Sequence, residues 1–385
     1  MTILDPVALA QALIRCPSVT PKDEGALGVL EGALKPLGFS CHRLVFEEPG
    51  TEAVDNLHAR IGSGAPLFLF AGHTDVVPPG GQWKSDPFGA EIKGGVLTGR
   101  GATDMKSAIA AFAAAAARHM AKSAADSIAL LITGDEEGDA VNGTRKVLEW
   151  MKDKGERIGH CIVGEPSSIA AVGDTIKIGR RGSMNVRVTA TGVQGHAAYP
   201  VRARNPIPAL AALVTRLTEH KLDEGTAHFE PSTLSFTSID VGNGATNVIP
   251  GEARAQFNIR FNNLHTPETL TALIDGEARI VAERMGCEIV ADYSVSGTAF
   301  VTKPGKFTAL VAKAVESVTG RLPEFSTGGG TSDARFIQDY CPVAELGLPN
   351  ATMHRTDECV ALADIAKLTE IYEALLDAYF KNPPQ

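Results

Sequence analysis

The sequence lacks the cysteine pattern of a disulfide-rich or thiolate-metal protein. Its six cysteines are scattered over 385 residues, without a C-x-x-C pair, at positions 16, 41, 161, 287, 341 and 359. A dense disulfide framework and a cysteine-based zinc site both need closely spaced cysteines. We therefore expect reduced thiols, which are typical of a cytoplasmic protein.

The chain also lacks an excess of positive charge and a long apolar run. Its net charge of -9 argues against broad binding to nucleic acid or to an anionic membrane, because both need a basic face, although a local basic pocket is compatible with it. The most apolar stretch, residues 108–117, is too short to span a bilayer. The N-terminal residues contain no basic segment followed by an apolar one, so we expect no signal peptide and a cytoplasmic location.

What the chain does contain suits two ordinary domains. An apolar share of 44% over 385 residues leaves room for more than one core. Residues 67–71 and 128–132 are continuous apolar runs, typical of strands buried on both faces of a parallel sheet, and 161–163 is a shorter third. An alanine-rich helix is predicted at 105–122. This alternation predicts an α/β fold whose mostly parallel sheet is flanked by helices.

The pattern changes between residues 180 and 294. Apolar and polar residues alternate there, as in a sheet with one solvated face, at 184–190, 234–237, 253–261 and 287–293. Helical spacing of apolar residues predicts helices at 207–217 and 267–285. The resulting order β-α-β-β-α-β is that of a ferredoxin-like α+β sandwich.

The α/β pattern returns after residue 295, with a helix predicted at 307–319, a strand at 343–346 and a closing helix at 363–380. We therefore predict a discontinuous α/β domain, formed by residues 1–179 and 295–385, with the ferredoxin-like domain inserted at 180–294. Almost none of the residues with candidate metal chemistry lie in the inserted domain.

Histidine and carboxylate side chains follow several predicted strands or glycine-bounded turns, at His73, Asp75, Asp104, Glu136, Glu137, Glu165 and His354. An open α/β sheet places its chemistry outside the carboxyl ends of its strands, so we expect these side chains to meet. Two imidazoles and three carboxylates, one of them bridging, supply three ligands to each of two metal ions. A position shared by water stays open, as in a catalytic site. These N and O donors fit zinc, and also cobalt or manganese.

Two pairs in this set predict a division of labour. His73 and Asp75 are two residues apart, so in an extended segment both side chains project the same way, and the carboxylate can hold the second nitrogen of the imidazole. Glu136 and Glu137 are adjacent, and adjacent side chains in extended backbone diverge. One of them would bind metal while the other acts as general base, and the spacing leaves open which.

Each of the remaining residues also has an ordinary explanation. Asp104 stands before a predicted helix, where aspartate is a frequent N-cap. Glu165, between a glycine and a proline, could be a turn carboxylate, and His354 could be a loop histidine whose hydrogen bonds are satisfied locally. The metal hypothesis rests on the set as a whole.

The chain resembles the zinc aminoacylase/carboxypeptidase family of metallopeptidases over essentially its whole length. The segments that carry the resemblance are 72–78, 99–106, 135–138, 164–167, 192–200, 246–251 and 326–333. The resemblance assigns every residue of the set a role: His73 and Glu165 on one zinc ion, Glu137 and His354 on the other, Asp104 between the two, Asp75 orienting His73, and Glu136 as the general base.

The resemblance further implies a homodimer formed through the inserted domain. His196 of that domain would polarise the scissile carbonyl in the partner subunit's site. From the residues alone, a histidine between Gly195 and Ala197 is more often a turn residue.

The implied activity is metal-dependent hydrolysis of a small succinylated amino acid, in lysine biosynthesis. The carboxylates of such a substrate would need cationic side chains close by, because the protein is acidic overall. The basic candidates are Lys177, Arg180 and Arg260, although any one of them could be a solvated surface charge. The family likeness adds Tyr199, Asn247 and Thr327, and the glycines Gly328 and Gly329, which allow close approach of an anion to the backbone. No Gly-Lys-Ser/Thr follows this glycine run, so it is not a nucleotide P-loop.

Three alternatives stay open at this point. Another deacylase of the same family, such as an acetylornithine deacetylase, would share every metal ligand. A peptidase that acts on short peptides would share them as well. A non-catalytic dimeric metal-binding or scaffold protein would have no use for a general base beside the ligands, which argues against that alternative.

Overall fold

The computed structural model describes residues 4–384. Residues 1–3 and residue 385 lie outside the described residues. The first three begin the predicted segment 1–179 and the N-terminal region for which no signal peptide is expected, and residue 385 ends the predicted segment 295–385. The chain forms two compact units. The larger unit consists of Met1–Ile178, Thr302–Ser326 and Ser332–Gln385, and the smaller unit of Gly179–Val301 and Thr327–Thr331.

The α-helices of the described residues are, in chain order, α1 (Pro6–Ile14), α2 (Ala26–Leu34), α3 (Lys106–Lys122), α4 (Thr144–Asp153), α5 (Pro206–Glu219), α6 (Pro267–Met285), α7 (Lys306–Thr319), α8 (Ala334–Ile337) and α9 (Leu362–Lys381). The strands are β1 (Ser40–Phe46), β2 (Val54–Ile61), β3 (Leu67–His73), β4 (Glu91–Lys93), β5 (Val96–Thr98), β6 (Ser127–Thr133), β7 (Ile158–Val163), β8 (Thr175–Lys177), β9 (Gly179–Arg180), β10 (Gly182–Thr191), β11 (Gly195–His196), β12 (Thr233–Asp240), β13 (Val248–Ile249), β14 (Glu252–Phe261), β15 (Glu288–Gly297), β16 (Phe300–Val301), β17 (Glu324–Ser326), β18 (Val343–Glu345) and β19 (Cys359–Ala361).

The larger unit is built on an eight-stranded mixed sheet with the order β1-β2-β6-β3-β7-β18-β8-β17. Its central neighbours β6, β3, β7 and β18 run parallel. Every residue of β3 and β6 is buried, because helices cover the sheet. Phe112 of α3 stacks on Phe70 of β3 with ring centroids 4.3 Å apart, and Tyr372 of α9 packs edge-on against Phe112. The predicted α/β fold, with a mostly parallel sheet and flanking helices, is confirmed.

The smaller unit contains a four-stranded antiparallel sheet with the order β12-β14-β10-β15. Apolar residues of β10 and β14 share one buried cluster with residues of α5 and α6, among them Val186, Phe257, Leu213 and Ile274. The alternate residues, such as Arg187 and Arg254, are exposed. The chain order β10-α5-β12-β14-α6-β15 and this strand order are those of the predicted ferredoxin-like sandwich.

The helices and the cysteines bear on two expectations from the sequence, the absence of a membrane span and the presence of reduced thiols. No helix among residues 4–384 is both long enough and apolar enough to cross a membrane. The six cysteines are all free thiols, in agreement with the reduced state expected from their spacing.

Candidate metal centre

Three neighbouring parallel strands of the larger unit deliver candidate ligands at their carboxyl ends. His73 is the last residue of β3. Glu136 and Glu137 follow β6, which ends at Thr133, and Glu165 follows β7, which ends at Val163. Because the strands are parallel, these ends lie along the same edge of the sheet, where open α/β folds place their sites.

Asp104 lies between two imidazoles and uses a different oxygen for each. Its Oδ1 is 3.2 Å from Nε2 of His73, and its Oδ2 is 3.1 Å from Nε2 of His354. His354 Nε2 is also 2.8 Å from Oε1 of Glu137, and His73 Nε2 is 3.6 Å from Oε1 of Glu165. A carboxylate placed in this way can bridge two ions, each of which would have a histidine and a second carboxylate beside it.

Two overlapping sets of donor atoms are compact enough to hold an ion. The donors of His73, Asp104 and Glu137 lie within 4.8 Å of one another, and so do those of His73, Glu136 and Glu165. Both sets contain His73. Glu136 therefore lies as close to a candidate ion position as the predicted ligands do, although its predicted role is that of general base.

The imidazoles carry much of the charge balance of the site. Hydrogen bonds to Asp104 and Glu137 raise the pKa of His354 to about 10. Burial alone would lower the pKa of His73, but its contacts with Asp104 and Glu165 raise that pKa well above its usual value. Burial opposes the ionised form of Asp104, yet the hydrogen bonds from His354 and His73 hold its pKa well below the ordinary range.

The other carboxyl groups are short of positive charge. Burial, and then the neighbouring charge of Glu165, raise the pKa of Glu136 well above its usual value. Burial and the charge of Asp104 raise the pKa of Glu165 to about 7. Oε1 of Glu165 is buried and accepts no hydrogen bond, which is costly for a carboxylate. A divalent cation would relieve both the repulsion and the missing contact, and the N and O donors suit zinc-like ions. The residues therefore fit a metal site.

Asp75 is placed differently from the prediction. Nδ1 of His73 is 2.9 Å from the main-chain oxygen of Asp75 and 3.6 Å from its carboxylate. The carboxylate instead accepts hydrogen bonds from the backbone N–H groups of Glu136 at 3.3 Å and Glu137 at 3.0 Å. The carboxylate oxygens of Asp75 thus bind two backbone N–H groups, and the main-chain oxygen of Asp75, which is nearer to the imidazole of His73, is the hydrogen-bond partner of Nδ1. Asp75 thus contacts both His73 and the Glu136–Glu137 segment.

Two local expectations were wrong. Glu136 and Glu137 lie in a turn rather than in extended backbone, and their side chains diverge because the turn directs Glu137 toward His354 and Glu136 toward His73 and Glu165. The N-cap interpretation of Asp104 also fails, because the cap position of α3 is Met105 and no side chain caps this helix. Both oxygens of Asp104 face histidines instead.

His354 comes from a turn well beyond β18. Its backbone is in the left-handed region, with φ of 59°, a conformation that is uncommon for a residue with a side chain and is concentrated at functional sites. Its side chain is 43% exposed, whereas that of His73 is 1% exposed. One imidazole is thus fixed in the core and the other is open to solvent.

Asp333 and Glu345 are among the buried acids of the larger unit to which the sequence pattern assigns no role. Asp333, in a motif that carries the family resemblance, is 5% exposed, and Glu345 at the end of β18 is 1% exposed. Ser332 Oγ donates to Oε1 of Glu345 at 2.5 Å. Their negative charges help to raise the pKa values of Glu136 and Glu165. The burial of an acid cannot be inferred from the sequence, although the presence of Asp333 in the segment 326–333, which carries the family resemblance, was a signal for that residue.

Among the basic candidates, Lys177 belongs to the larger unit. It ends β8, it is 9% exposed, and its Nζ donates to Ser326 Oγ at 3.1 Å. Its backbone pairs with that of Glu345.

In the smaller unit, Arg180 lies against the glycine-rich segment. Its Nη1 donates to the carbonyl of Gly330 at 3.1 Å. Gly329 has φ of 103°, a backbone conformation that residues with a side chain rarely adopt, so this position favours glycine. Thr327 Oγ1 donates to the carbonyl of His228 at 2.5 Å, and Gly328 lies between Thr327 and Gly329. The structure thus brings four of the candidates together.

The other candidates of the smaller unit form a second group. His196 belongs to β11, which pairs with β13, and the N–H of Ala197 donates to the carbonyl of Asn247 at 2.9 Å. The rings of His196 and Tyr199 are 5.7 Å apart between centroids. Arg260 is separate from this group, on β14, where burial and then the charge of Arg181 lower its pKa.

Comparison with known proteins gives one consistent relationship. Peptidase family M20/M25/M40 matches residues 69–378. The chain is 57% identical to a succinyl-diaminopimelate desuccinylase of Parvibaculum lavamentivorans, over 98% of this chain and 96% of that protein. It is 58% identical to one of Rhodospirillum centenum, over 98% and 97%.

Among solved structures, the chain is similar to aminopeptidase PepT of Bacillus cereus, with a TM-score of 0.78, 21% identity, and coverage of 98% of this chain and 99% of that one. At that identity the likeness concerns the fold. The family match spans most of the sequence and the identities to the two desuccinylases extend along nearly all of it, so the chain belongs to the peptidase family M20/M25/M40.

Proposed function

We propose that the protein is a metal-dependent amide hydrolase that converts N-succinyl-LL-2,6-diaminopimelate and water to succinate and LL-2,6-diaminopimelate, in lysine biosynthesis. The observation that carries the proposal is the placement of Asp104 between His73 and His354, 3.2 and 3.1 Å from their Nε2 atoms. Identities of 57% and 58% to succinyl-diaminopimelate desuccinylases support the substrate. We further propose a cytoplasmic location, in keeping with the free thiols.

His73 and Glu165 would hold one ion, Glu137 and His354 the other, and Asp104 both. We propose two zinc ions per subunit, and cobalt or manganese fit the same donors. When bound, such ions polarise a substrate carbonyl and lower the pKa of a coordinated water toward neutrality. The buried Oε1 of Glu165, which accepts no hydrogen bond, and the raised pKa values of Glu136 and Glu165 support this arrangement.

Glu136 is the proposed general base. Its carboxylate takes a proton from the attacking water, whose oxygen bonds to the succinyl carbonyl carbon. When the C–N bond breaks, Glu136 returns that proton to the departing amine nitrogen. Burial raises the pKa of Glu136, so its carboxyl group holds a transferred proton more readily than an exposed one. Asp75 sets its position through the backbone of the turn.

His196 would supply a hydrogen bond to the scissile carbonyl. The N–H of Ala198 donates to Nδ1 of His196 at 3.0 Å, so a neutral ring carries its proton on Nε2 and presents a donor there. We propose that the protein is a homodimer formed through the smaller unit and that this donor acts in the partner subunit's site. The exposure of His196 and Tyr199 suits such a role.

The substrate carboxylates need cationic and N–H partners. Lys177, Arg180 and Arg260 are the proposed charged contacts: the arginine guanidinium groups can pair a carboxylate through two parallel hydrogen bonds, and Lys177 supplies a point charge. The proposed neutral contacts are Thr327, the backbone at Gly328 and Gly329, Tyr199 and Asn247. Fixing Arg180 on the carbonyl of Gly330 leaves its orientation little freedom to change when a substrate binds.

The test is a comparison of three substrates with purified, zinc-loaded protein. We expect turnover of N-succinyl-LL-2,6-diaminopimelate and little of acetylornithine or a dipeptide. A preference for acetylornithine would place the protein among the other deacylases of its family, and a preference for the dipeptide would make it a peptidase. Stoichiometric metal binding without turnover of any substrate would favour a non-catalytic role. Oligomeric state in solution, by sedimentation, tests the dimer.

A further inference from the structure

We propose that the buried ion pair of Arg100 and Glu358 is the positioning device of the candidate metal centre. It holds the segment before Asp104 and the turn that carries His354 in a fixed relation before an ion binds. Neither residue reaches the proposed ligand atoms, and the motif that contains Arg100 predicts no task for it. This inference rests on the proposed metal-dependent function.

Glu358 acts almost entirely on the segment that presents Asp104. Its side chain is 0% exposed. Oε1 accepts from the backbone N–H of Thr103 at 2.8 Å and of Asp104 at 3.1 Å. Oε2 accepts from the N–H of Gly101 at 3.1 Å and from Nη1 of Arg100 at 2.7 Å. Four donors from one short segment therefore converge on one carboxylate, and this fixes the backbone from which the Asp104 side chain extends.

Arg100 extends the same device to two other segments. Its Nη1 donates to the carbonyl of Arg355, next to His354, at 3.2 Å. Its Nη2 donates to the carbonyls of Pro78 at 3.5 Å and Pro79 at 3.3 Å, which follow the segment of His73 and Asp75. Only a planar guanidinium with several N–H groups can make contacts in this many directions, so lysine would not replace it.

The turn of His354 is also fixed on its other side. Thr103 Oγ1 and Thr352 Oγ1 both donate to the carbonyl of Cys359, at 2.9 and 2.8 Å, and the two hydroxyl oxygens are 3.2 Å apart. β19, which begins at Cys359, pairs with β5 just before Arg100. His354 is thus flanked by two residues that are tied to the segment of Asp104, and its left-handed backbone is maintained by those ties.

The pair therefore sets the distance between Asp104 and His354, two proposed ligands of the same ion. Without it, binding an ion would also have to order both segments, and metal affinity would fall by that cost. Partners behind metal ligands typically change metal affinity by about 10- to 100-fold when they are mutated.

The experiment measures metal affinity of the apo protein rather than activity. Zinc is titrated in competition with a chromophoric chelator, and cobalt is titrated while its visible absorption is recorded, for wild type, Glu358→Gln and Arg100→Lys. Glu156→Gln is the matched control, because Glu156 pairs with Arg60 at 3.3 Å and its side chain is 12% exposed, away from the candidate centre. We expect affinity losses of about 10- to 100-fold in the first two variants, with an altered cobalt spectrum, and none in the control.

Wild-type affinity and an unchanged cobalt spectrum in a folded Glu358→Gln protein would overturn the inference. If that variant does not fold, Arg100→Lys decides, because it keeps the charge and loses the contacts to the carbonyl groups; unchanged affinity there would likewise overturn it. A wild-type protein that binds no divalent ion would overturn the proposed function and this inference with it. The two failures are therefore distinguishable.

Discussion

The imidazole of His73 is held by the main-chain carbonyl of Asp75, with Nδ1 2.9 Å from that oxygen. The Asp75 carboxylate, 3.6 Å from the same nitrogen, accepts hydrogen bonds from the backbone N–H groups of Glu136 and Glu137. One residue thereby links a candidate ligand on β3 to the turn after β6. Burial raises the pKa of this carboxyl to about 6, and the two N–H donors favour its ionised form.

The first prediction is that Asp75→Asn impairs turnover more than it impairs metal binding. Asparagine keeps the main-chain carbonyl that holds His73, but its amide replaces one acceptor with a donor that faces the turn. We expect kcat to fall by about 10- to 100-fold with metal content retained. Steady-state kinetics and metal analysis of the same preparation measure both. Loss of metal with a proportional loss of kcat would instead assign Asp75 to the support of His73.

The second prediction concerns Glu136→Gln, which separates a base from a ligand. If Glu136 transfers the proton, kcat falls by about 100- to 10,000-fold while the protein still binds its metal ions. If Glu136 is a ligand, as its closeness to His73 and Glu165 permits, metal content falls as well. Glu149→Gln, an exposed acid of α4 with 53% side-chain exposure, serves as the control. Near-normal turnover of Glu136→Gln would exclude both roles.

The central strands could be predicted because their sequences are apolar on both faces. β1 and β2, at the edge of the same sheet, gave no such signal. Asn56 of β2 is fully buried because its Nδ2 donates to the carbonyls of Leu44, Val54 and Asn142. Arg43 of β1 pairs with Asp55 of β2. These polar side chains contact partners such as Asn142 and Asp55 that only the folded chain brings near, so no local pattern predicts these strands.

The candidate ligands could be proposed for a similar reason, since each of the strand-derived ones stands just after an apolar run; their role as ligands stays a prediction. The contacts that hold these residues in place could not be predicted from the sequence. Glu358 lies more than 250 residues along the chain from the N–H groups of Thr103 and Asp104, from which its carboxylate accepts hydrogen bonds. No spacing rule relates residues so far apart in sequence. The choice between Glu136 and Glu137 depends on a turn whose direction is set by Asp75, again from a different strand.

The third prediction is a pH dependence of stability at His160 of β7. Its ring packs against Phe307 at 4.5 Å, its Nδ1 is 3.0 Å from Tyr379 Oη, and burial lowers its pKa from 6.5 to about 4. Between these values the unfolded chain binds more protons than the folded one. This contribution to stability is therefore present above pH 6.5 and is lost as the pH falls toward 4, by about 3 kcal/mol.

Urea unfolding of the metal-free protein at several pH values measures this effect. We expect the midpoint of wild type to fall between pH 6.5 and 4 and that of His160→Gln to fall less over the same range, even though the variant is less stable at neutral pH. The exposed His220, changed to glutamine, provides the control. Parallel curves for wild type and His160→Gln would contradict the prediction.

The fourth prediction is that His196→Ala lowers kcat and leaves metal content intact, because neither candidate donor set of the described residues includes His196. Removal of one preorganised donor to a developing oxyanion typically lowers kcat by about 100- to 1,000-fold. His220→Ala, in the same unit, is the control. Loss of metal from His196→Ala would make this residue a ligand and the proposed role wrong.

Mixing two inactive variants tests whether His196 acts in the partner subunit's site. In a mixed dimer of His196→Ala and Glu136→Gln subunits, the first subunit keeps Glu136 and receives an intact His196 from its partner, so one of the two sites is complete. Half of the dimers in an equal, randomly exchanged mixture are mixed, so about a quarter of wild-type activity should return. If His196 served its own subunit, every site would lack one group and no activity would return. Kinetics after denaturation and joint refolding, compared with each variant treated alone, distinguish the two arrangements.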